Sequence, residues 1–402
     1  MLKIGIFLCL ISLTSHVLAA RDLRLVAKQS LEENIVELSR GGVLRAGSHQ
    51  FASLWTRDFC FASRGLRAIG REDVIASHLS RLLEHLREDG LVPRVLDSKA
   101  SWRRVARFSF IPFRPNSSPV KDNLKAEWLG EHRTVAIDSN ALVLITAAEY
   151  VKSTGDHAWY EEHKAKLIKV MEFYRQYFEN ALVVQEKYGD WQDSVKRTGA
   201  TFFTNFLVWK ALSMYRADSD FNISDELISK FRKNLDEKFF DHKMGLYKTL
   251  DHGDWVSLEG ILYALEDDQF LSVTKKKSLY QALVKHPIWG VIPGRATFPS
   301  YPANQISFTT KAVGLRRYHD GLVWPWLTAF SAKIAYEMDD HASARRIRQT
   351  LQSWAKRDGE INEVMDPKKK MKPVKRMFYT SEAPFSWGAG FVLDMLNQKE
   401  AE

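Results

Sequence analysis

The sequence predicts an all-α protein in which helical hairpins form a ring of two layers. Hydrophobic residues recur mainly at the three- and four-residue spacing of α-helices. Some predicted helices, such as residues 342–357, are apolar on one side, whereas residues 202–215 and 322–336 are apolar nearly all round. A ring with a buried inner layer and a half-exposed outer layer requires both kinds of helix.

At least ten helices are expected along the chain, with two short strands near Ile111 and Tyr247. The first helix covers residues 22–40 and ends at a Gly-Gly pair, the next covers 71–89 and ends at Gly90, and a third covers 138–156. Further helices are predicted within residues 163–178, 201–215, 224–239, 255–265, 275–286, 321–338 and 342–357.

The chain of 402 residues shows neither a Gly/Ser- or Pro-rich linker nor a strict internal repeat. We therefore expect residues 21–402 to form a single domain, in which the irregular stretch 93–133 is a long functional loop. The first 20 residues contain Lys3, a short apolar run and a small-residue site before Ala20. This pattern predicts a cleaved signal peptide, hence a secreted or periplasmic protein, with an uncleaved anchor as the alternative.

The net charge is +9, and much of the excess lies in residues 101–108 and 366–377. Such runs usually form a solvated face or loop. Nucleic-acid binding is not expected, because basic residues interleaved with stacking aromatics are lacking, whereas an acidic polysaccharide or a membrane surface stays open. Cys60 is the single cysteine after signal removal, and we interpret it as a small buried hydrophobe and not as a catalytic thiol.

Five segments place carboxylates or amides beside aromatic residues at predicted helix starts. They contain Trp55, Arg57 and Asp58; Asp138 and Asn140; Asp190, Trp191, Asp193 and Asn205; His319, Asp320, Trp324 and Trp326; and Glu360, Glu363, Glu382 and Trp387. Taken singly, an acid at a helix start is more often a cap, and a tryptophan is more often core. Taken together, indoles that stack on a sugar ring and carboxylates that bind its hydroxyls predict a carbohydrate pocket.

Two carboxyl groups are also what acetal hydrolysis requires, one protonated and one ionised. The sequence offers no alternative chemistry of comparable strength. Paired histidines or cysteines at zinc spacing, Gly-rich phosphate loops and a nucleophile elbow are all lacking. We therefore expect neither a metal nor a cofactor.

The five segments, in this order, resemble those of the (α/α)6-barrel glycoside hydrolases. The likeness is to the glucosidase domain of glycogen-debranching enzymes and to the alkaline/neutral invertases. It rests on short motifs that extend over nearly the whole mature chain: LWTRDFCFASRGL, GLVPRVLD, AIDSNALVL, GDWQDSVKRTG, YHDGLVWPWL, EINEVMD and FSWGAGF. The aromatic positions after the acid of the third motif are Ala141, Leu142 and Val143 here, and the amide of the fifth motif is replaced by Asp320.

The resemblance implies a secreted inverting glycosidase in which Asp138 is the general acid and Glu363 the base. Glu382 competes with Glu363 for the second role. The substrate-binding residues implied are Trp55, Arg57, Asp58, Asp190, Trp191, Asp193, His319, Asp320, Trp324, Glu382 and Trp387.

The expected substrate is an α-linked gluco-oligosaccharide. Sucrose and a carbohydrate-binding protein without catalysis are the alternatives, and a sugar epimerase or a helical protein-interaction ring ranks behind them.

Overall fold

The computed structural model describes residues 22–99, 120–130 and 132–398. The predicted signal peptide, the strand near Ile111 and the basic run 101–108 lie outside the described residues. Within those residues, no helix combines the length and the apolar character needed to cross a bilayer.

The described residues form thirteen α-helices, numbered here in chain order. They are α1 (Leu23–Glu32), α2 (Thr56–Ala68), α3 (Glu72–Glu84), α4 (Asp138–Thr154), α5 (His157–Glu172), α6 (Phe202–Tyr215), α7 (Asp225–Phe239), α8 (Leu258–Glu266), α9 (Val273–Lys285), α10 (Phe308–Ala312), α11 (Pro325–Glu337), α12 (His341–Asp358) and α13 (Ser386–Leu396).

Six of these helices form a closed inner ring. Around it, α2 packs on α4, α4 on α6, α6 on α8, α8 on α11, α11 on α13, and α13 again on α2. The other long helices form an outer layer, in which α3, α5, α7, α9 and α12 each pack on the inner helix that precedes them in the chain, whereas α1 packs on α13, the last inner helix. The predicted fold class, an all-α (α/α)6 barrel, is therefore confirmed.

Burial follows the two layers as the hydrophobic pattern predicts. In the inner helix α6, eleven of fourteen residues are buried, whereas in the outer helix α12 only five of eighteen are. The ring closes tightly because α2 and α13 touch through glycines: a Cβ on Gly65 would lie 2.4 Å from the Cα of Gly390. A larger residue at either position would force the two helices apart.

The strands are short and form small antiparallel sheets between the helices. They are β1 (Ile35–Leu38), β2 (Gly41–Leu44), β3 (Leu54–Trp55), β4 (Val95–Asp97), β5 (Lys125–Glu127), β6 (Phe178–Glu179), β7 (Leu182–Gln185), β8 (Gly199–Ala200), β9 (Phe240–Asp241), β10 (Leu246–Tyr247), β11 (Val256–Ser257), β12 (Thr297–Phe298), β13 (Met365–Asp366), β14 (Lys372–Pro373), β15 (Lys375–Arg376) and β16 (Tyr379–Thr380).

The strand expected near Tyr247 is confirmed as β10. The expected helix over residues 22–40 is wrong in its second half, because α1 ends at Glu32 and the β1–β2 hairpin follows. The β-branched Ile35 and Val36 suit a strand, and Gly41, at φ +106°, permits the reversal that the hairpin needs.

The segments that precede the inner helices meet at one end of the ring. Short pairings join neighbouring segments there, namely β11 with β12, Gly47 with Phe385, Thr201 with Leu250 and Val323 with Met365. The residues singled out at helix starts are thereby brought to one end of the barrel, since the start of every inner helix faces the same way.

Candidate active site

Asp138 is the first residue of α4 and is completely buried. Its side chain does not cap the helix. Instead, Oδ1 accepts a hydrogen bond of 2.8 Å from Nε of Arg57, while Oδ2 is buried without a hydrogen-bond partner among the described residues. Burial raises the pKa of Asp138 to about 6, against the opposing charge of Arg57. Oδ2 is therefore the oxygen on which Asp138 would carry its proton, at and below about pH 6.

Glu363 lies in the segment between α12 and α13 and is 2% exposed. Its Oε1 accepts a hydrogen bond from the hydroxyl of Tyr318, and its Oε2 accepts one from the hydroxyl of Tyr379 at 2.5 Å and one from the backbone N–H of Glu382 at 3.2 Å. Burial raises the pKa of Glu363 to about 7, and the two tyrosine hydroxyls oppose that rise. Three donors aimed at one carboxylate favour its ionised form.

Asp58 is the neighbour of Arg57 in the first turn of α2 and is partly exposed. Its pKa is raised to about 7 by burial and then by the charge of Glu363. Arg57 thus faces Asp138 while Asp58 faces Glu363, so that one turn of α2 interacts with both candidate catalytic carboxyls. Asp138 and Glu363, which lie 225 positions apart in the chain (363 minus 138), thus flank the same turn of α2.

Glu382 has a different environment from Glu363. Its Oε1 accepts backbone N–H bonds from Ser48 at 3.0 Å and His49 at 2.8 Å, and its Oε2 accepts those of Gln50 at 2.9 Å and Phe51 at 3.3 Å. Both carboxylate oxygens are therefore engaged by the loop that precedes β3. We interpret Glu382 as the residue that holds this loop, and not as a base or a sugar ligand.

A buried polar network includes three residues that the sequence analysis did not single out, namely Gln192, Arg197 and Glu259. Arg197 binds Asp190 at 2.5 Å and lies 3.7 Å from Glu259, whose Oε1 also accepts a hydrogen bond of 3.0 Å from Gln192. Burial raises the pKa of Glu259 to about 7, against the charge of Arg197. Asp190 is thus an anchor for the segment that carries Trp191. One signal for Glu259 was available, since it is the only charged residue among residues 255–265.

Aromatic rings fill the space beside these carboxyls. The ring of Trp191 meets those of His319, Trp324 and Trp387 edge-on, with centroids 5.0, 5.5 and 5.6 Å away. His319 also stacks on Trp324, with an angle of 4° between the rings. Both its nitrogens are buried without a hydrogen-bond partner among the described residues. Burial lowers the pKa of His319 well below its usual value, so the imidazole is neutral.

Trp55, Arg94 and Asp193 form a wall that solvent reaches. The guanidinium of Arg94 lies 4.8 Å from the ring centroid of Trp55, and Asp193 accepts bonds from Arg94 at 3.2 Å and Arg57 at 3.4 Å. Asp193 retains 36% side-chain exposure. Arg94, Tyr318 and Tyr379 were missed in the sequence, because their roles depend on partners distant in the chain.

Three further polar residues from the five segments serve the backbone. Asp320 accepts a bond from the N–H of Tyr301 at 2.8 Å, and its Arg317 partner lies 3.2 Å away. Asn140 bonds the backbone at Gly90, Val92 and Val170, and Asn205 bonds both backbone groups of Val183. Their amides hold chain segments in register.

A metal site and a catalytic thiol each have structural requirements that the described residues do not meet. Within the described residues, no group of three or more His, Cys, Asp or Glu side chains is arranged to hold a metal ion. Cys60 is 6% exposed, and burial raises the pKa of its thiol to about 12. Its interpretation as a buried hydrophobe is confirmed.

No protein-family model and no curated protein matches this sequence. Solved structures do match. The GH63 mannosylglycerate hydrolase from Thermus thermophilus, in complex with Tris, superposes with a TM-score of 0.61 at 15% identity, over 92% of this chain and 99% of that one. A protein described as a wild-type glycosidase gives a TM-score of 0.61 at 14% identity, over 95% and 97% of the two chains.

The Thermus thermophilus hydrolase has also been crystallised with glucose, and that structure matches at 16% identity and a TM-score of 0.61. These matches extend over 92–95% of this chain. The resemblance to helical-barrel glycoside hydrolases is thereby confirmed for the architecture: this chain has the fold of those glycosidases.

Proposed function

We propose that this protein is a glycoside hydrolase that works by acid–base catalysis at Asp138 and Glu363. The observation that carries the proposal is a pair of buried carboxyl groups at one end of the barrel, each with a raised pKa and each contacting different groups. Burial of carboxyl groups whose charge is not fully compensated is costly, so their presence beside an aromatic wall favours a chemical role. The solved glycosidases with the same fold support the choice of reaction.

The hydrogen bonds suggest which carboxyl plays which part. Asp138 has one oxygen bound to Arg57 and one free to carry a proton, so it would donate that proton to the glycosidic oxygen as the bond to the anomeric carbon breaks. Glu363, held by two tyrosine hydroxyls, would take a proton from the water that attacks the anomeric carbon. Attack from the face opposite to the leaving group would invert the configuration.

The pocket would recognise the sugar through its neighbouring polar and aromatic groups. Asp58 faces the site without a hydrogen bond to another described side chain, and neutral His319 has both nitrogens available. These groups can bind ring hydroxyls, while Trp55 offers an indole surface. We infer an α-linked gluco-oligosaccharide as the substrate. A small mannoside is the second candidate, favoured by the named activity of the Thermus thermophilus hydrolase.

We also infer that the protein acts outside the cytoplasm. This inference rests on the pattern of residues 1–20, with its positive start, apolar run and small-residue site. Mass spectrometry of the chain secreted by its own host tests it. A mature N-terminus near Arg21 is expected, and an intact Met1 in the cell extract would contradict it.

The experiment that tests the proposed function is release of reducing sugar by the purified mature chain. The panel contains malto- and isomalto-oligosaccharides, trehalose, sucrose and α-mannosides, each assayed with wild type, Asp138→Asn and Glu363→Gln. Asp254→Asn, in an exposed loop, is the control. We expect turnover of one class, at least a hundredfold lower in both active-site variants, which matches the range for loss of a general acid or base.

Three other results would change the proposal in different ways. Turnover of sucrose alone would keep the reaction but replace the inferred substrate, in favour of an invertase-like hydrolase. A shift in melting temperature without turnover of any sugar would support a binding protein. Turnover that survives in either active-site variant would remove that residue from the mechanism.

A further inference from the structure

The chain between Glu363 and Glu382 carries a dense positive charge. Residues 364–381 contain five lysines and one arginine but a single acid, Asp366. Arg376 neutralises that acid at 2.8 Å. The remaining cations are all exposed, and none forms an ion pair with a described carboxylate: Lys368, Lys369, Lys370, Lys372 and Lys375. We call residues 366–378 the basic rim.

The basic rim is folded onto the barrel. Strand β13 pairs with β14, and β15 pairs with β16. Val374 is completely buried, donates to the carbonyl of Val364 at 3.2 Å and accepts from Ser381 at 2.7 Å. The lysines are therefore presented from a fixed platform, which lowers the entropy cost of binding a ligand.

The rim lies beside the candidate base. Tyr379, which directly follows the rim, donates the 2.5 Å hydrogen bond to Glu363. On the other side, a Cβ on Gly314 would lie 3.7 Å from the side chain of Arg376, so the segment with the exposed Arg316 is its neighbour. The positive charge thus adjoins the end of the barrel where the catalytic carboxyls lie.

Apolar side chains are exposed on the same platform. Met377 is 80% exposed and Phe378 is 45% exposed. Exposed apolar groups among cations suit a ligand that offers both sugar-ring faces and negative charges. A neutral glucan would leave the five lysines without a partner.

We propose that the basic rim binds an anionic glycan, that is, a saccharide chain with carboxylate groups on units next to the one that is cleaved. This inference rests on the proposed function and narrows its substrate, because the α-linked glucoside unit in the glycosidase site would belong to a chain whose neighbouring units are acidic. The cleaved unit itself would be neutral, since Asp58, Asp138 and Glu363 would repel an acidic ring there. An anionic membrane would cover the end of the barrel that the sugar must reach, which disfavours that partner.

The test measures binding of polygalacturonate by isothermal titration calorimetry at low and at moderate salt. Neutral dextran is the reference ligand. The rim variant is Lys368→Gln, Lys369→Gln and Lys370→Gln together. The matched control makes the same change of charge on the outer helices, at exposed Lys230, Lys238 and Lys277. A third variant, with arginine at the three rim positions, keeps the charge.

We expect wild type to bind polygalacturonate but not dextran, with affinity that falls as salt increases. The rim variant should bind about tenfold more weakly or worse, while the control and arginine variants stay within about twofold of wild type. Equal binding by rim and control variants would overturn the proposal. Equal rim-dependent binding to DNA or to phosphatidylserine vesicles would also overturn it, in favour of a general polyanion or membrane surface.

Failure of this inference can be told apart from failure of the proposed function. Asp138→Asn should bind polygalacturonate as wild type does, because Asp138 is buried and lies outside the rim. Turnover of a neutral glycoside without polygalacturonate binding would overturn the rim proposal alone.

Discussion

The two ends of the helical ring both contain buried charge, but only one of them balances it. Near the ends of the inner helices, Arg64 bridges Glu266 at 2.9 Å and Asp394 at 2.8 Å, and Lys333 binds Glu266 at 2.8 Å. Burial alone would raise the pKa of Glu266, yet Arg64 and Lys333 hold it well below its usual value. The guanidinium of Arg64 also lies over the ring of Phe391, 4.5 Å from its centroid, and so has an aromatic contact beside its two carboxylate partners.

At the starts of the same helices, carboxyls outnumber cations. Asp58, Asp138 and Glu363 have pKa values of about 7, 6 and 7, and Arg57 is the cation bound to Asp138. A chain selected for stability alone would pair these acids or replace them. The difference teaches that paired charge suits a stabilising role, whereas unbalanced charge lies at the end where we propose that hydrolysis takes place.

The largest expected effect on stability comes from breaking the balanced end. Glu266→Gln leaves Arg64 and Lys333, which are 10% and 12% exposed, with one carboxylate partner each, and we expect a loss of about 2–3 kcal/mol, below the roughly 3–5 kcal/mol of a fully buried pair. Urea unfolding measures the change in the free energy of unfolding. Glu337→Gln is the control, because Glu337 also binds Lys333 but keeps 31% side-chain exposure, so its loss should cost less than half as much. Equal costs would show that the network is not the stabilising element.

Removing one carboxylate from the end of the barrel where acids outnumber cations should stabilise the protein above neutral pH. The pKa of Asp58 is about 7 in the folded state and about 4 in an unfolded chain, so the folded state binds the proton more tightly. Its contribution to stability is therefore full below pH 4 and is lost as pH rises through 7. Asp58→Asn has no carboxyl group to ionise, so this variant should not lose that stability as pH rises.

The melting temperature is the readout for this substitution. Asp58→Asn should match wild type at pH 4 and should exceed it at pH 8, by the equivalent of about 1–2 kcal/mol since solvent partly screens the carboxylate. Asp254→Asn, in an exposed loop, should change neither value. A destabilised Asp58→Asn at pH 8 would mean that the ionised carboxylate is held by favourable contacts.

The smallest effect concerns the hydroxyls that hold Glu363. The pKa values of Asp138 and Glu363 are about 6 and 7, so kcat/KM should be highest between pH 6 and pH 7. Tyr379→Phe removes a hydrogen bond that lowers the pKa of Glu363, so the alkaline limb should move to higher pH and the maximum should fall. A lower melting temperature with an unchanged pH profile would assign Tyr379 a structural part only.

Much of the fold could be predicted from the sequence, because helical periodicity is a local signal. The contrast between helices such as α6 and α12 indicated two layers before their packing was known. The second half of the first helix was mispredicted, since Ile35 and Leu38 also fit a helical stripe, and the hairpin depends on the Gly41 turn. Local patterns do not settle such competition between a helix and a strand.

The site was predictable in composition but less so in its contacts. Asp138, Glu363, Asp58 and Arg57 were singled out, and the structure places them together. The sequence could not distinguish Glu363, whose carboxylate is held by two tyrosine side chains, from Glu382, whose carboxylate is held by a loop. The loop residues that bind Glu382 lie more than 330 positions earlier in the chain. Asp190 was likewise predicted to bind substrate, because its ion pair with Arg197 cannot be inferred from the sequence.

The central claim is that the two ends of the ring separate stability from catalysis. The most direct measurement compares Asp138→Asn with Glu266→Gln, recording turnover of one common glycoside at about 15 °C, below the temperature range where mesophilic domains melt, and the free energy of unfolding for each. The account predicts that Asp138→Asn loses at least a hundredfold in kcat while its unfolding free energy is kept. Glu266→Gln should keep its kcat within about twofold and lose stability. Loss of turnover in both variants, or in neither, would contradict the claim.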